Sequence, residues 1–242
     1  MKNIILAAGY ATRLYPLTEN FPKPLLKIGE STILDRLMAD IDRMECVDEH
    51  ILVTNHKFVA IFESWAAQRA YAKPIRIIDD GSVCNEKRLG AVNDLLLAIS
   101  GCDLLDDLLV IAADNILDFS LKGFVDGFFA KGSSMIMCHH EPSVAALQRT
   151  GVIVVDEDFK VLQMQEKPLV PASNWAVPPF YIYRKEDLPL IMGAVEHGCQ
   201  TDAPGNLAGY MFRHTTLHAW VMPGKRYDIG TVDSYHEAMG LF

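Results

Sequence analysis

Three stretches of this chain carry residues whose types and spacing suit phosphate chemistry. The first is LAAGYATRLYPLT, residues 6–18, followed directly by ENFPKPLL. A glycine-bearing loop that leaves a strand can turn its backbone N–H groups toward an anion, and Arg13 and Lys23 would add positive charge where a polyphosphate lies. The stretch is longer than the few residues that usually join a strand to a helix, which points to a ligand. It is not a GxGxxG loop, because no further glycine follows Gly9 at the right spacing, nor a P-loop, because position 14 is leucine. Taken alone, it also reads as a surface loop stiffened by Pro16, Pro22 and Pro24. The second stretch, LLVIAADN, ends an apolar run in Asp114. A carboxylate there lies at the ligand edge of a parallel sheet, or simply caps a turn or helix. The third is Glu166-Lys167-Pro168. A lysine offers phosphate a point charge and a glutamate accepts bonds from hydroxyls, whereas a lone EKP is more often a solvated strand end.

These residues need a scaffold, and the apolar periodicity supplies one. Strand-length runs fall at 3–7, 50–54, 75–78 and 108–112, with helix-length segments at 31–44, 58–71 and 90–99 between them. Strands alternating with helices predict an α/β domain with a mostly parallel sheet covered on both faces. Ser31 is the expected N-cap of the helix that carries Ile33, Leu34, Leu37, Met38 and Ile41 on one face. A helix over 121–130 then leads to the strand SMIMCHH. The second half reads as an α+β extension: two strands in GVIVVDEDFKVLQMQEKP, one strand entering a helix in AVPPFYIYRKEDL, and a last helix over 232–239. With no repeat and no low-complexity linker, one compact unit is expected.

The chain has 242 residues, and its 22 basic against 31 acidic residues give a net charge of −9. That balance argues against a nucleic-acid groove but allows small phosphorylated ligands held by local cations. The five cysteines form no CxxC pair and are odd in number, so no disulfide framework or thiolate metal site is encoded, and a reducing, cytoplasmic setting is expected. No run approaches the ~20 apolar residues of a membrane span, so a soluble protein without membrane partners is expected. His139 and His140 are neighbours on a strand and so point to opposite faces, one inward and one exposed, rather than pairing on a metal. Trp65, Phe124, Phe128 and Phe129 read as core.

The whole opening string resembles the signature of the sugar-1-phosphate nucleotidyltransferases (nucleotide-sugar pyrophosphorylases), LAAGxGTRLxPLTxxxPKxLxxI. It is carried here by Leu6-Ala7-Ala8-Gly9, Thr12-Arg13-Leu14, Pro16-Leu17-Thr18, Pro22-Lys23, Leu25 and Ile28. Ala11 stands where the family has its second glycine; if that position needs φ > 0, the alanine costs about 1 kcal/mol. Further motifs recur in family order. Ala113-Asp114-Asn115 resembles GDN, Gly151 precedes the EKP motif, NWAVPPFYIY resembles xNYAVTGLYFY with Pro179 replacing a glycine, and KRYDIGTVDSYHEA resembles WLDTGTxxSLxEA with Asp228, Gly230 and Thr231 retained.

The resemblance, closest in kind to short glucose-1-phosphate thymidylyltransferases and uridylyltransferases, implies the nucleotide-diphospho-sugar transferase fold: a Rossmann-like, mostly parallel sheet covered by helices, with an α+β sugar-binding extension. It implies a single domain, 1–242, in which 1–133 bind nucleotide and 134–242 bind sugar phosphate. The implied activity joins a sugar 1-phosphate to a nucleoside triphosphate, giving a nucleotide-sugar and pyrophosphate, with Mg²⁺ held by Asp114 and Asp228. Nucleotide contacts are implied for Leu6, Ala7, Ala8, Gly9, Tyr10, Ala11, Thr12, Arg13, Lys23, Asn85, Gly90 and Asp114. Sugar-phosphate contacts are implied for Asn115, Gly151, Glu166, Lys167 and Val177, and the catalytic set is Arg13, Lys23, Asp114, Lys167 and Asp228. Thymidylyl and uridylyl members carry a glutamine five positions before the base-contacting glycine; Asn85 holds that place before Gly90, which favours dTTP or UTP. A phosphocholine-type cytidylyltransferase shares the opening loop, and a non-catalytic nucleotide-sugar sensor is the reading from another class. Asp202, in QTDAPGN, matches a Thr-Asp dipeptide of the family only loosely and stays outside the expected site. Self-association into a homo-oligomer is left open.

Overall fold

The computed structural model describes all of residues 1–242. The first half runs β1 (Lys2–Leu6), β2 (Lys27–Ile28), β3 (Ser31–Thr32), α1 (Ile33–Ile41), β4 (Glu49–Thr54), α2 (Val59–Ala67), β5 (Ile75–Asp79), α3 (Ala91–Gly101), β6 (Leu108–Ala112), β7 (Asn115–Leu117) and α4 (Lys122–Lys131). The second runs β8 (Ser134–His140), α5 (Val144–Leu147), β9 (Gly151–Val155), β10 (Val161–Glu166), β11 (Trp175–Val177), β12 (Phe180–Tyr183), α6 (Leu188–Gly193), α7 (Pro204–Met211), β13 (Leu217–Val221), β14 (Arg226–Asp228) and α8 (Val232–Met239). Residues sort into two compact units, each assembled from separated stretches: Met1–Leu89, Ala112–Lys122 and Gly224–Phe242 form one, Gly90–Ile111 and Gly123–Pro223 the other.

In the first unit β1, β4 and β5 pair in parallel. Ile4, Ile5, Ile51, Leu52 and Val53 are fully buried, as strands covered on both faces require. Helix α1 buries the expected face, Ile33, Leu34, Leu37, Met38 and Ile41. Its cap is Thr32, whose side chain accepts from the Asp35 N–H, and not Ser31. Ser31 and Thr32 both pair with β2, and because α1 begins at Ile33, Thr32 is the residue that flanks it. Helix α2 is shorter than the expected 58–71, because a 3₁₀ turn at His56–Phe58 takes its start and the chain leaves it after Ala67. Tyr71 instead donates to Asp35. Two-stranded pairing of β7 with β14 sets Asp228 opposite Asn115. Beneath it Leu14, Leu26, Ile28, Ile33, Ile116, Ile229 and Ala238 form one core cluster with Ala11 packed against it. The opening loop and the segment carrying Asp228 thus rest on the same apolar floor.

In the second unit β9 and β10 form an antiparallel hairpin, β11 lies between β9 and β8, β12 pairs β8 and β6, and β13 runs parallel to β8. The parallel α/β half with an α+β extension is therefore as the sequence predicts. The single strand expected through AVPPFYIY is two, β11 and β12, because Pro178 and Pro179 offer no N–H to a ladder. Phe124 and Phe128 are core, as is Trp65 in the first unit, but Phe129 is 52% exposed; positions 124 and 128 share a helix face and 129 turns off it. His139 is half-buried and His140 exposed. No helix is long and apolar enough to cross a membrane.

Candidate functional site

The opening loop is held by bonds at Ala7, Ala8, Tyr10 and Ala11. Ala7 N–H donates to Val53 O at 2.9 Å, Asn55 Nδ2 donates to Ala8 O at 3.0 Å, and the Tyr10 hydroxyl donates to Ser82 O at 2.8 Å. Ala11 is left-handed, φ 47° and ψ 43°, so the family glycine position does need positive φ and the alanine carries the predicted strain. Its carbonyl accepts from Thr18 Oγ1 at 2.8 Å and from Leu14 N–H at 2.9 Å, and those two bonds hold the turn closed. A 3₁₀ turn over Thr12–Leu14 follows, leaving Arg13 exposed and Leu14 buried. A second, Lys23–Leu25, follows Pro22 with Pro24 in its first turn and buries the lysine.

Lys23, 8% exposed, reaches Asp114 with Nζ 2.8 Å from Oδ2. Asp114 Oδ1 accepts from Asn115 Nδ2 at 2.7 Å, and Asn115 Oδ1 accepts from Arg226 Nη1 at 2.6 Å. Asp228 lies on the neighbouring strand, and Ile229 N–H donates to Asp114 O at 3.2 Å. Asp228 is exposed to solvent at the end of β14, with protein crowding the inner side of its carboxyl. That crowding first, and then the like charge of Asp114, push its pKa up, against the opposing pull of Arg226, Lys23 and Arg13. Of the expected nucleotide residues, Leu6, Ala7, Gly9 to Arg13, Lys23, Asn85 and Asp114 line one cavity of about 500 Å³, and Asp228 lines it too. Ala8 and Gly90 are not in its wall. Gly90 belongs to the second unit, where it caps α3 at φ 89° and a Cβ would collide with the Thr201 carbonyl.

The second unit gathers Gly151, Glu166 and Val177. Gly151 on β9 is opposite Glu166 on one side and Val177 on the other; a Cβ on it would come 3.2 Å from Val177 Cβ and 3.3 Å from Glu166 Oε2. Burial raises the Glu166 pKa, Lys167 lowers it and Asp202 raises it. Lys167 turns the chain out of β10 with φ 47°, anchors its N–H on Thr150 O at 3.0 Å, and leaves its half-exposed ammonium 3.9 Å from Glu166 Oε1. Asn115, expected on sugar phosphate, has its amide committed to Asp114 and Arg226 in the first unit.

Sequence reasoning passed over three groups. Gly205, at the start of α7, leaves no room for a Cβ beside the Glu166 carboxylate, and Asp202 adds negative charge there; the DAPGN string, with proline opening a helix, was the available signal. Arg88 lines the cavity of the first unit, with Nη1 3.2 Å from Asn85 O. Arg226 precedes Asp228 by two, which on a strand means the same face.

Comparison with known proteins fits this geometry. The family described as nucleotidyl transferase matches residues 2–241. A glucose-1-phosphate adenylyltransferase of Fervidobacterium nodosum is 25% identical over 98% of this chain and 60% of its own length. The UTP–glucose-1-phosphate uridylyltransferase AglF of Haloferax volcanii is 24% identical over 98% of this chain and 95% of its own. The crystal structure of UDP-glucose pyrophosphorylase complexed with UDP-glucose superposes with a TM-score of 0.81 at 20% identity, covering 99% of this chain and 97% of that one, so the fold is shared. The chain spans 38–62% of the length of several longer curated relatives.

Proposed function

Because this chain belongs to the nucleotidyl transferase family, we propose that it joins a sugar 1-phosphate to a nucleoside triphosphate and releases pyrophosphate. The observation that carries the proposal is the convergence of the opening loop, Lys23, Asp114 and Asp228 on one cavity. The sugar-phosphate oxygen is already a nucleophile at neutral pH, so no general base is required. It attacks the α-phosphorus, the bond from that phosphorus to the bridging oxygen breaks, and the electron pair leaves on pyrophosphate. Catalysis then consists of aligning two anions and stabilising charge.

Two carboxylates close enough to raise the pKa of one of them, facing an open cavity, fit a hard divalent cation such as Mg²⁺. Asp114 and Asp228 would hold it, and when bound it would neutralise charge on the triphosphate. Arg13 and the loop amides from Ala8 to Ala11 receive the β and γ groups, and Lys23 neutralises charge near the point of attack. In the second unit Lys167 takes the incoming phosphate and Glu166 accepts bonds from sugar hydroxyls, with Gly151 and Val177 shaping its surroundings. Residues within 1–133 together with Asp228 thus serve the nucleotide, and the remainder of 134–242 the sugar phosphate. Asn85, in the cavity wall, favours a pyrimidine, dTTP or UTP, whereas the relatives' names include both adenylyl and uridylyl transfer. The five free cysteines suit a cytoplasmic setting.

Purified protein with Mg²⁺, five nucleoside triphosphates including dTTP, and the 1-phosphates of glucose, galactose, mannose and an amino sugar should release pyrophosphate with at least one pairing. No release above a protein-free control in any pairing would refute the proposal.

A further inference from the structure

Arg226 is outside the catalytic and binding sets described above, yet it ends a partly buried chain of hydrogen bonds that begins at Lys23. The order is Lys23 Nζ to Asp114 Oδ2, 2.8 Å; Asn115 Nδ2 to Asp114 Oδ1, 2.7 Å; Arg226 Nη1 to Asn115 Oδ1, 2.6 Å. The Asn115 side chain is wholly buried, so water cannot replace either partner. A guanidinium has donors and no acceptor. It therefore accepts only one face of the amide: Oδ1 must turn to Arg226, and Nδ2 must then turn to Asp114. The Asp114 carboxylate and Ala112 O, 3.4 Å from Nδ2, hold the amide nitrogen on their side; without Arg226 the buried Oδ1 is left with no donor, and the amide loses the anchor that holds it against Asp114.

The pairing of β7 with β14 explains why Arg226 can do this. Asp228 and Asn115 are direct partners and Arg226 is two residues from Asp228, so all three share one face, with Arg226 diagonal to Asn115 and within reach of a long side chain. The segment that supplies one carboxylate thereby supplies the group that orients the other.

We propose that Arg226 is a positioning residue which, through the Asn115 amide, fixes the Asp114 carboxylate for a divalent cation shared with Asp228. The proposal rests on the metal-dependent transfer proposed above. Outer groups that orient a ligating carboxylate typically change metal affinity or activity by about 10–100-fold. A purely electrostatic role predicts the opposite sign, because removing a positive charge beside two carboxylates tightens cation binding.

The test uses Mn²⁺ alone, followed by electron paramagnetic resonance on the full chain, with Arg226→Met and Arg226→Lys and with thermal melting to check the fold. Arg226→Met should weaken Mn²⁺ binding about tenfold or more, and Arg226→Lys, which retains a donor and the charge, should stay within about threefold of wild type. Equal or tighter Mn²⁺ binding by a folded Arg226→Met overturns the proposal, as does a wild type that takes up no Mn²⁺ at 10 mM, the highest level on the order of ~10 mM that a two-carboxylate site would need. If Arg226→Met unfolds, Arg226→Gln replaces it, neutral but able to donate; Mn²⁺ binding within about threefold of wild type or weaker supports the proposal, because the lost charge alone would tighten it, and binding tighter than that overturns it. Pyrophosphate release separates the two readings. Release by wild type with unweakened Mn²⁺ binding by Arg226→Met refutes the positioning role alone. Absence of release with the Met loss and the Lys rescue refutes the transfer reaction alone.

Discussion

Gly205→Ala should weaken sugar-phosphate binding while leaving the fold intact. A Cβ at position 205 would overlap the Glu166 carboxylate and come 2.9 Å from its Cδ, so the carboxylate must swing away. The energy of doing so is small. The group that moves is the end of a flexible side chain, and its pKa is raised by burial, so turning toward water relieves part of a desolvation cost. Alanine also suits the first turn of a helix better than glycine by roughly 0.5–1 kcal/mol. These terms oppose any loss of packing, and the net change should stay within about 1 kcal/mol, a shift of at most ~4 °C in Tm for a chain of this size. The functional loss is larger. A hydrogen bond from a sugar hydroxyl to a carboxylate is worth about 1.5–3 kcal/mol, so the KM for sugar 1-phosphate should rise roughly ten- to 150-fold. The Kd for the triphosphate, measured by calorimetry without sugar, should not move. Gly209→Ala is the control on the same helix, because a Cβ there meets nothing within 4 Å; it should leave KM unchanged and raise Tm slightly. An unchanged KM in a folded Gly205→Ala would refute the assignment of Glu166 to the sugar.

Other outcomes follow from the same contacts. Gly90→Ala places a Cβ against the Thr201 backbone at φ 89°, where no side chain can give way, and should cost about 2–4 kcal/mol, read as a fall in the urea midpoint. Asp114→Asn and Asp228→Asn each remove a charge from the pair while keeping its shape and should cut turnover by orders of magnitude with Tm preserved; wild-type rate at limiting Mg²⁺ in either would make that residue a structural aspartate. Lys167→Ala should raise the KM for sugar phosphate and spare triphosphate binding, whereas Lys23→Ala should weaken the triphosphate first, both measurable by steady-state kinetics with calorimetry. Asp35 is buried, which acts to raise its pKa, but bonds from Arg69, Trp65, Tyr71 and the Thr32 cap outweigh this and hold it below the usual carboxylate range. A depressed folded pKa gives stability that is present above the unfolded value of about 3.9 and is lost as pH falls through the folded one. Asp35→Asn should therefore cost roughly 2–3 kcal/mol at pH 7, and its deficit against wild type should shrink below about pH 4.

Much of the scaffold was legible because its signals are local. Strand β8 and helix α8 lie where apolar periodicity puts them, and the α1 face is the one its spacing predicts. The errors fall at element ends and on the turned face of a helix, where residue type alone does not decide the outcome. Ser31 reads as a cap until α1 begins two residues later, at Ile33, and makes Thr32 the cap. AVPPFYIY reads as one strand until Pro178 and Pro179, which offer no N–H, split it into β11 and β12. Phe129 reads as core by residue type alone, and only the rotation of α4 turns it to solvent.

The site divides along the same line. Ala11 was legible in conformation, because a glycine position filled by alanine has one testable consequence, positive φ, and the backbone has it. The strain persists because Thr18 and Leu14 bond its carbonyl and the methyl packs on the core cluster under the loop. Replacing Ala11 by glycine would relieve about 1 kcal/mol of backbone strain. It would also lose a half-buried methyl, worth up to about 0.8 kcal/mol, and loosen the unfolded chain by roughly 0.4–1 kcal/mol. The terms nearly cancel, so the alanine is tolerated without any compensating device elsewhere. Gly205 and Arg226 were not legible, and for one physical reason. Each acts by a contact with a residue far along the chain, Glu166 for one and Asn115 for the other, and neither contact leaves a trace in spacing. A glycine is needed in α7 because a carboxylate from β10 arrives beside it, and an arginine is needed before Asp228 because an amide from β7 must be turned. What sequence spacing can supply is the set of reactive groups; what the fold adds is the set of residues that leave room for them or fix their direction.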